Sequence, residues 1–121
     1  MIAPHLKTGM LGEIYASRYL RDNGYEILSA NFKTKAGEID LVARKEDIIS
    51  FVEVKTRKAG GLYRPAEAVD HDKQSHVRAS AKVYMKAAHM EDDRSLHMRF
   101  DIIEVVVSNN EYKCNHIINA Y

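Results

Sequence analysis

The sequence predicts a single α/β domain in which helices pack against a mixed β-sheet, with the element order αβββαββ. The chain has 121 residues, which is the length of one ordinary domain. Segments with helical spacing of apolar residues alternate with runs of strand period. No repeat, low-complexity tract or Pro/Ser-rich linker interrupts the chain, which contains two prolines. We therefore treat residues 1–121 as one domain.

The first helix is predicted from about Thr8 to Asn23, because Thr8 can cap its start and Gly24 can end it. One face of this helix carries small residues, one acid and one leucine: Gly9, Gly12, Glu13, Ala16 and Leu20. A glycine inside a helix costs about 1 kcal/mol relative to alanine. The two glycines therefore indicate that something approaches this face closely, either a packed sheet or a ligand.

Three strands are predicted next, at Tyr25–Phe32, Glu38–Arg44 and Ile48–Thr56. The third is apolar on both faces as far as Glu53, which suits a central strand covered on both sides. The polar segment between the second and third strands is short enough for a hairpin.

The second half of the chain predicts a long helix over residues 66–90, with a break near Asp70. A strand follows at Met98–Val107, where β-branched residues are frequent. A short last strand is predicted at Ile117–Ala120.

Composition excludes several classes of protein. One cysteine, Cys114, rules out an intramolecular disulfide framework and a multi-cysteine zinc site. No stretch approaches the roughly 20 apolar residues of a membrane span, so we expect a cytoplasmic protein without a membrane partner. The net charge is +1, but it is uneven: Lys55 to Met90 holds eight Lys or Arg against three Asp or Glu. Near-neutrality therefore does not exclude a nucleic-acid partner.

Three ionisable residues, Asp40, Glu53 and Lys55, lie within the most hydrophobic strands. A buried charge is costly unless it is paired or binds a metal. Glu53 and Lys55 are two apart, so they leave the same face of their strand about 6.5–7 Å apart. If the hairpin loop has an even number of residues, Asp40 lies on that face too, opposite either Phe51 or Glu53. The alternative is a purely structural role, in which Lys55 forms an internal salt bridge with one acid.

Carboxylate oxygens without clustered cysteine or histidine favour Mg²⁺ or Mn²⁺ over zinc. A divalent cation held in this way suits phosphodiester hydrolysis, because it polarises a phosphoryl oxygen and lowers the pKa of a bound water. Lys55 could hold the attacking water or offset charge on the phosphate.

The spacing of Asp40, Glu53 and Lys55 resembles the PD-(D/E)xK nuclease motif, written D-x12-E-x-K. A wider set of segments, which together span nearly the whole chain, resembles the bacterial YraN-type family. These segments are Gly12-Glu13, Ala16, Tyr19-Leu20, Gly24-Tyr25, Gly37 to Ala43, Phe51 to Arg57, Ala68-Val69, Lys73-Gln74, Arg99 to Asp101 and Asn119 to Tyr121.

This resemblance implies a restriction-endonuclease-like fold, similar to that of archaeal Holliday-junction resolvases. It implies a divalent-metal nuclease site at Asp40, Glu53 and Lys55. The resolvase pattern also has a glutamate on the first helix, which Glu13 matches as a further metal ligand. Ile39 replaces the proline of the motif. Because related resolvases act as symmetric dimers, the resemblance also implies a homodimer.

Three basic residues are expected to contact a nucleic-acid backbone. Arg57 and Lys58 follow the strand of Glu53 directly, and Lys73 starts the long helix, where a plain solvated first turn is the alternative. Glu38 is left open between a ligand, a supporting residue and a strand edge. The expected function is metal-dependent cleavage of structured or branched nucleic acid, with DNA favoured over RNA. The alternative is a non-catalytic nucleic-acid-binding module that retains the nuclease fold.

Overall fold

The computed structural model describes residues 8–60 and 70–121 as one five-stranded sheet with a helix on each face. Its order of elements confirms the predicted αβββαββ. The elements are α1 (Thr8–Asp22), β1 (Glu26–Lys33), β2 (Glu38–Lys45), β3 (Ile48–Lys58), α2 (His71–Ala87), β4 (His97–Ser108) and β5 (Glu111–Ile117).

The sheet is mixed, as predicted, with the strand order β1-β2-β3-β4-β5. Three of the neighbouring pairs are antiparallel, and β3 pairs with β4 in parallel through the crossover that contains α2. β3 is hydrogen-bonded on both sides and its residues 49–53 are all buried. The prediction of a central strand covered on both faces is therefore confirmed.

Two apolar clusters hold the helices to the sheet. On one face, Ala16 and Leu20 of α1 are buried against Val52. On the other face, Val77 and Tyr84 of α2 are buried with Phe51. Alternate residues of β3 thus point to opposite helices, as strand geometry requires. Glu53 and Lys55, which are in phase with Phe51, therefore lie on the face of the sheet that carries α2.

The end of α1 confirms the predicted role of Gly24. This glycine has φ +88°, which is the left-handed conformation that glycine adopts at low cost. The N–H of Gly24 donates to the carbonyl of Arg21 at 3.0 Å, and the N–H of Tyr25 donates to that of Leu20 at 2.9 Å. These two hydrogen bonds form the Schellman motif that closes the helix.

Two predicted boundaries were wrong. The last strand covers Glu111–Ile117, not Ile117–Ala120. It starts earlier because Asn109 and Asn110 both adopt positive φ and form a two-residue turn, after which Glu111 pairs with Ser108.

The helix α2 ends at Ala87 and not near Met90, because His89 adopts a φ of +57°. Asp70, at the predicted break, caps its start by accepting the N–H of Lys73 at 2.8 Å. Residues 66–69 of the predicted helix lie outside the described residues. Within the described part of the chain, no helix is long and apolar enough to cross a membrane.

A buried network around Asp101 ties three strands together. Asp101 is fully buried on β4, and its carboxylate accepts hydrogen bonds from several donors. The donors are Ser50 Oγ at 2.6 Å, His116 Nε2 and Arg99 Nη2 at 2.8 Å each, and the N–H of Asn119 at 3.1 Å. Burial alone would raise the pKa of Asp101, but hydrogen bonds from His116, Arg99, Ser50 and Asn119 outweigh it and lower the pKa to about 2. The Arg99–Asp101 ion pair is part of this structural network.

We predict that Asp101→Asn lowers the free energy of unfolding by about 3 kcal/mol at pH 7, because it leaves buried donors without their anion. The folded-state pKa lies below the ordinary 3.8, so the stabilisation is present above about pH 4 and is lost as the pH falls through 2. Urea unfolding of both proteins between pH 2 and pH 7 measures this. The exposed Asp47→Asn is the matched control. A loss of less than about 1 kcal/mol at pH 7 would contradict the role of the network.

The close approach of α1 to β3 generates a second prediction. A Cβ built on Gly12 would lie 1.8 Å from Oγ1 and 3.1 Å from Cβ of Thr56. Gly→Ala normally stabilises a helix by about 1 kcal/mol. Here we expect Gly12→Ala to destabilise the protein by about 1–3 kcal/mol through overpacking, and Thr56→Ala to restore part of that loss. Urea unfolding decides the sign, and a Gly12→Ala variant as stable as wild type would contradict the close packing.

Candidate functional site

The site lies where β2 and β3 separate. A two-residue turn joins the strands, and their pairing runs from Lys45↔Ile48 to Leu41↔Val52. In that register Asp40 comes next, opposite Glu53, which is the second of the two arrangements that the sequence allowed. The ladder does not continue there. Instead, Oδ2 of Asp40 accepts the backbone N–H of Val54 at 2.8 Å. The side chain thus bridges the gap between the strands.

Glu53 is buried, with 6% of its surface exposed, on the face of the sheet that carries α2. Nζ of Lys55 lies 3.2 Å from its Oε1. Nζ of Lys73, in the first turn of α2, lies 3.7 Å from the same oxygen. The internal ion pair considered for Lys55 is therefore present at Glu53. It does not extend to Asp40, which forms no ion pair with any residue that the structure describes.

The negative charge of Asp40 is unfavourable at this position. Burial, followed by the neighbouring charge of Glu53, raises the pKa of its carboxyl to about 7. The N–H of Val54 lowers it, Glu13 raises it and Lys73 lowers it, in decreasing order of effect. The charges of two acids thus act on Asp40, and the single hydrogen bond that it accepts from the described residues does not compensate for them.

Glu13 reaches this region because α1 lies so close to β3. The contact of Gly12 with Thr56 sets that approach, and the next residue on the helix is Glu13. Its Oε2 accepts a hydrogen bond from Nδ2 of Asn31, which has a φ of +55° on β1, at 3.2 Å. Glu13 thus lies close enough for its charge to raise the pKa of Asp40, and its carboxylate is held by Asn31 of β1. Its expected role as a metal ligand stays a prediction.

The remaining predicted residues occupy different surroundings. Arg57 forms a two-point ion pair with the buried Glu104, with Nε at 2.7 Å from Oε2 and Nη2 at 3.3 Å from Oε1. This ion pair raises the pKa of Arg57, mainly through the side-chain hydrogen bond. Lys58 is exposed as the last residue of β3. Glu38 starts β2, half-buried and opposite Lys33 of β1.

Sequence reasoning missed two contacts. Glu104 was not singled out, although an acid inside the apolar run of β4 was a usable signal. Lys73 was weighed as a phosphate contact or a solvated residue, whereas it approaches Glu53. Both contacts depend on the parallel pairing of β3 with β4 and on the placement of α2, neither of which local sequence specifies.

The donor set fits a hard divalent cation. Asp40 and Glu53 offer carboxylate oxygens from neighbouring strands, and a cation between them would relieve the repulsion that raises the pKa of Asp40. Within residues 8–60 and 70–121, no three His, Cys, Asp or Glu side chains converge closely enough to form a complete metal cage. Two protein carboxylates would suffice for Mg²⁺, which retains several waters when it binds.

We predict that the stability of the metal-free protein reports the unfavourable charge on Asp40. Its folded-state pKa of about 7 exceeds the ordinary 3.8, so the stability it contributes is present below about pH 4 and is lost as the pH rises through 7. Asp40→Asn stays neutral and can still accept the N–H of Val54. Its free energy of unfolding should therefore rise relative to wild type by roughly 2–4 kcal/mol between pH 4 and pH 8.

Urea unfolding with a chelator present measures this difference. Asp22→Asn, which changes an exposed aspartate at the end of α1, is the matched control. A stability difference between Asp40→Asn and wild type that stays flat from pH 4 to pH 8 would show that Asp40 is not crowded by its neighbours.

Comparison with known proteins places the chain in a family. The model of the "Uncharacterised protein family UPF0102" matches residues 12–105, which include every predicted site residue. A UPF0102 protein of Alkaliphilus oremlandii is 43% identical over 115 residues, covering 95% of this chain and 97% of the relative. A UPF0102 protein of Caldanaerobacter subterraneus is 44% identical over 116 residues, covering 93% of each. The chain therefore belongs to the UPF0102 family, which confirms the predicted YraN-type membership.

Proposed function

We propose that the protein is a divalent-metal-dependent nuclease with a restriction-endonuclease-like fold, which hydrolyses phosphodiester bonds in structured or branched nucleic acid, DNA in preference to RNA. The observation that carries this proposal is the environment of Asp40. The charges of Glu53 and Glu13 act on its carboxylate, and among the described residues its one hydrogen-bond donor is the N–H of Val54. A protein core gains nothing from such an acid, whereas a cation-binding site requires it.

The carboxylates would hold Mg²⁺ or Mn²⁺, with Asp40 and Glu53 as ligands and Glu13 as a further acid. The bound ion would supply Lewis-acid polarisation of a phosphoryl oxygen and a water of lowered pKa. The contribution of the chain is to fix the two carboxylates. β3 is paired along its length with β4, and the hydrogen bond from Val54 orients Asp40.

Lys55 would act on the substrate. Its side chain is 24% exposed and shares the face of Glu53, with Nζ 3.2 Å from the carboxylate. An ammonium there can bind a phosphate oxygen or orient the attacking water, and it offsets negative charge that develops during hydrolysis. In the metal-free protein, the Glu53 carboxylate holds this lysine on the face of the site.

The nucleic-acid backbone would approach from the ends of β3 and α2. Arg57 and Lys58 occupy the end of β3, and Lys73 lies in the first turn of α2. Glu104 fixes the guanidinium of Arg57 in one orientation, which suits a positioning contact with phosphate. A homodimer, by analogy with resolvases, would present two such sites to the two equivalent strands of a junction.

The test is cleavage of a panel of four-way junctions, flaps, single strands and tRNA with Mg²⁺ or Mn²⁺. We expect wild type to cleave at least one structured substrate. Asp40→Asn and Glu53→Gln should each reduce the rate by roughly 10²-fold or more, because each removes a group that acts on the reacting phosphate through the metal. Asp22→Asn should cleave like wild type. Wild-type cleavage no faster than that of Asp40→Asn on every substrate would contradict the enzymatic proposal.

A second candidate is a non-catalytic nucleic-acid-binding module that retains the fold. The observation in its favour is that Lys55 and Lys73 already approach Glu53, which leaves one carboxylate neutralised without a metal. Salt-dependent DNA binding that persists in Glu53→Ala, with no cleavage by wild type, would favour this candidate. Absence of DNA and RNA binding at low salt would exclude it.

A further inference from the structure

The hydroxyl of Tyr121 is buried without a partner. Among the described residues, it is the one buried side-chain nitrogen or oxygen that forms no hydrogen bond. Burying a hydroxyl in this way is unfavourable, and buried polar groups in native proteins nearly always find a partner. An exception of this kind therefore needs an explanation, and its position indicates one.

The ring of Tyr121 is held firmly in place. It stacks on Phe100 with ring centroids 5.7 Å apart, and the guanidinium of Arg78 lies 5.4 Å from its centroid. The N–H of Ala120 donates to the carbonyl of Phe100 at 2.8 Å, and that of Asn119 donates to Asp101 at 3.1 Å. These contacts hold the ring and the preceding backbone, and none of them uses the hydroxyl.

This position lies beside the candidate site. Phe100 pairs with Phe51 of β3, and Phe51 is two residues before Glu53 on the same face. Burial, together with the charges of Glu53, Asp101 and Asp40, raises the pKa of Tyr121 to about 12, while the charge of Arg78 opposes them. The hydroxyl therefore stays protonated at neutral pH, as a neutral donor within electrostatic reach of Glu53 and Asp40.

The groups that approach the Glu53 carboxylate in the metal-free protein are cations. Lys55 and Lys73 both approach its Oε1, at 3.2 Å and 3.7 Å. A divalent cation at the acid pair would repel both ammonium groups. A neutral hydroxyl would not be repelled, so it could support the carboxylate where a lysine could not.

We propose that Tyr121 is a positioning residue of the acid site, whose hydroxyl donates a hydrogen bond to the Glu53 carboxylate when a divalent cation binds. This inference rests on the proposed function, because it assumes that Asp40 and Glu53 take a cation. Residues that hydrogen-bond to metal-ligating carboxylates typically change metal affinity 10–100-fold when they are removed. The buried hydroxyl would then find its hydrogen-bond acceptor in the metal-bound protein.

Tyr121→Phe is the direct test, because it removes the hydroxyl and keeps the stacked ring. Tyr84→Phe is the matched control. It removes a hydroxyl from the same apolar cluster. Burial is the cause of the raised pKa of Tyr84, whereas the charges of Glu53 and Asp40 also act on Tyr121. Calorimetric titration with Mn²⁺ and thermal unfolding of the metal-free proteins are measured for all three.

We expect Tyr121→Phe to bind Mn²⁺ about tenfold more weakly than wild type, and Tyr84→Phe to bind like wild type. Metal-free Tyr121→Phe should unfold at the same temperature as wild type or higher, because the lost hydroxyl had no partner. Unchanged Mn²⁺ affinity in Tyr121→Phe would overturn the inference, as would a lower unfolding temperature without metal. Absence of Mn²⁺ binding by wild type would instead overturn the proposed function.

Discussion

The hydrogen bond from the N–H of Val54 to the carboxylate of Asp40 is the contact on which the site depends. It forms at the point where β2 and β3 stop pairing, after Leu41 and Val52. A side-chain oxygen accepts a backbone donor there, so the strands part without leaving that N–H unsatisfied. The same bond holds Asp40 next to Glu53. The same hydrogen bond therefore accompanies the separation of β2 from β3 and the approach of Asp40 to Glu53.

Two aspartates in one sheet show how neighbouring groups determine the pKa of an acid inside the fold. Asp101 receives donors from Ser50, His116 and Arg99, and these bring its pKa to about 2 against the effect of burial. Asp40 has one donor among the described residues and two acidic neighbours, and its pKa rises to about 7. The first carboxylate is fully compensated and ties strands together. The second carries a charge that the described residues do not compensate, which is why we propose that it binds a ligand.

Much of the fold and the centre of the candidate site could be predicted from the sequence. Periodicity located both helices and four strands, and acids within apolar strands singled out Asp40 and Glu53 as candidate site residues. β5 was misplaced because its alternating polar residues resemble a loop until they are paired with β4. The sequence left two registers for Asp40, and the two-residue turn selects between them. The pairing of Glu104 with Arg57 could not be predicted from the sequence. It depends on the register of the parallel strands β3 and β4, which brings together residues 47 positions apart.

The central claim is that Asp40 and Glu53 together bind a divalent cation. Anomalous X-ray diffraction from a crystal soaked in Mn²⁺ tests it most directly, because the anomalous signal identifies the ion and its ligands without requiring catalysis. We predict one strong peak within about 2.0–2.4 Å of carboxylate oxygens of both residues. No peak at this position, in crystals where Mn²⁺ binds elsewhere on the protein, would contradict the account.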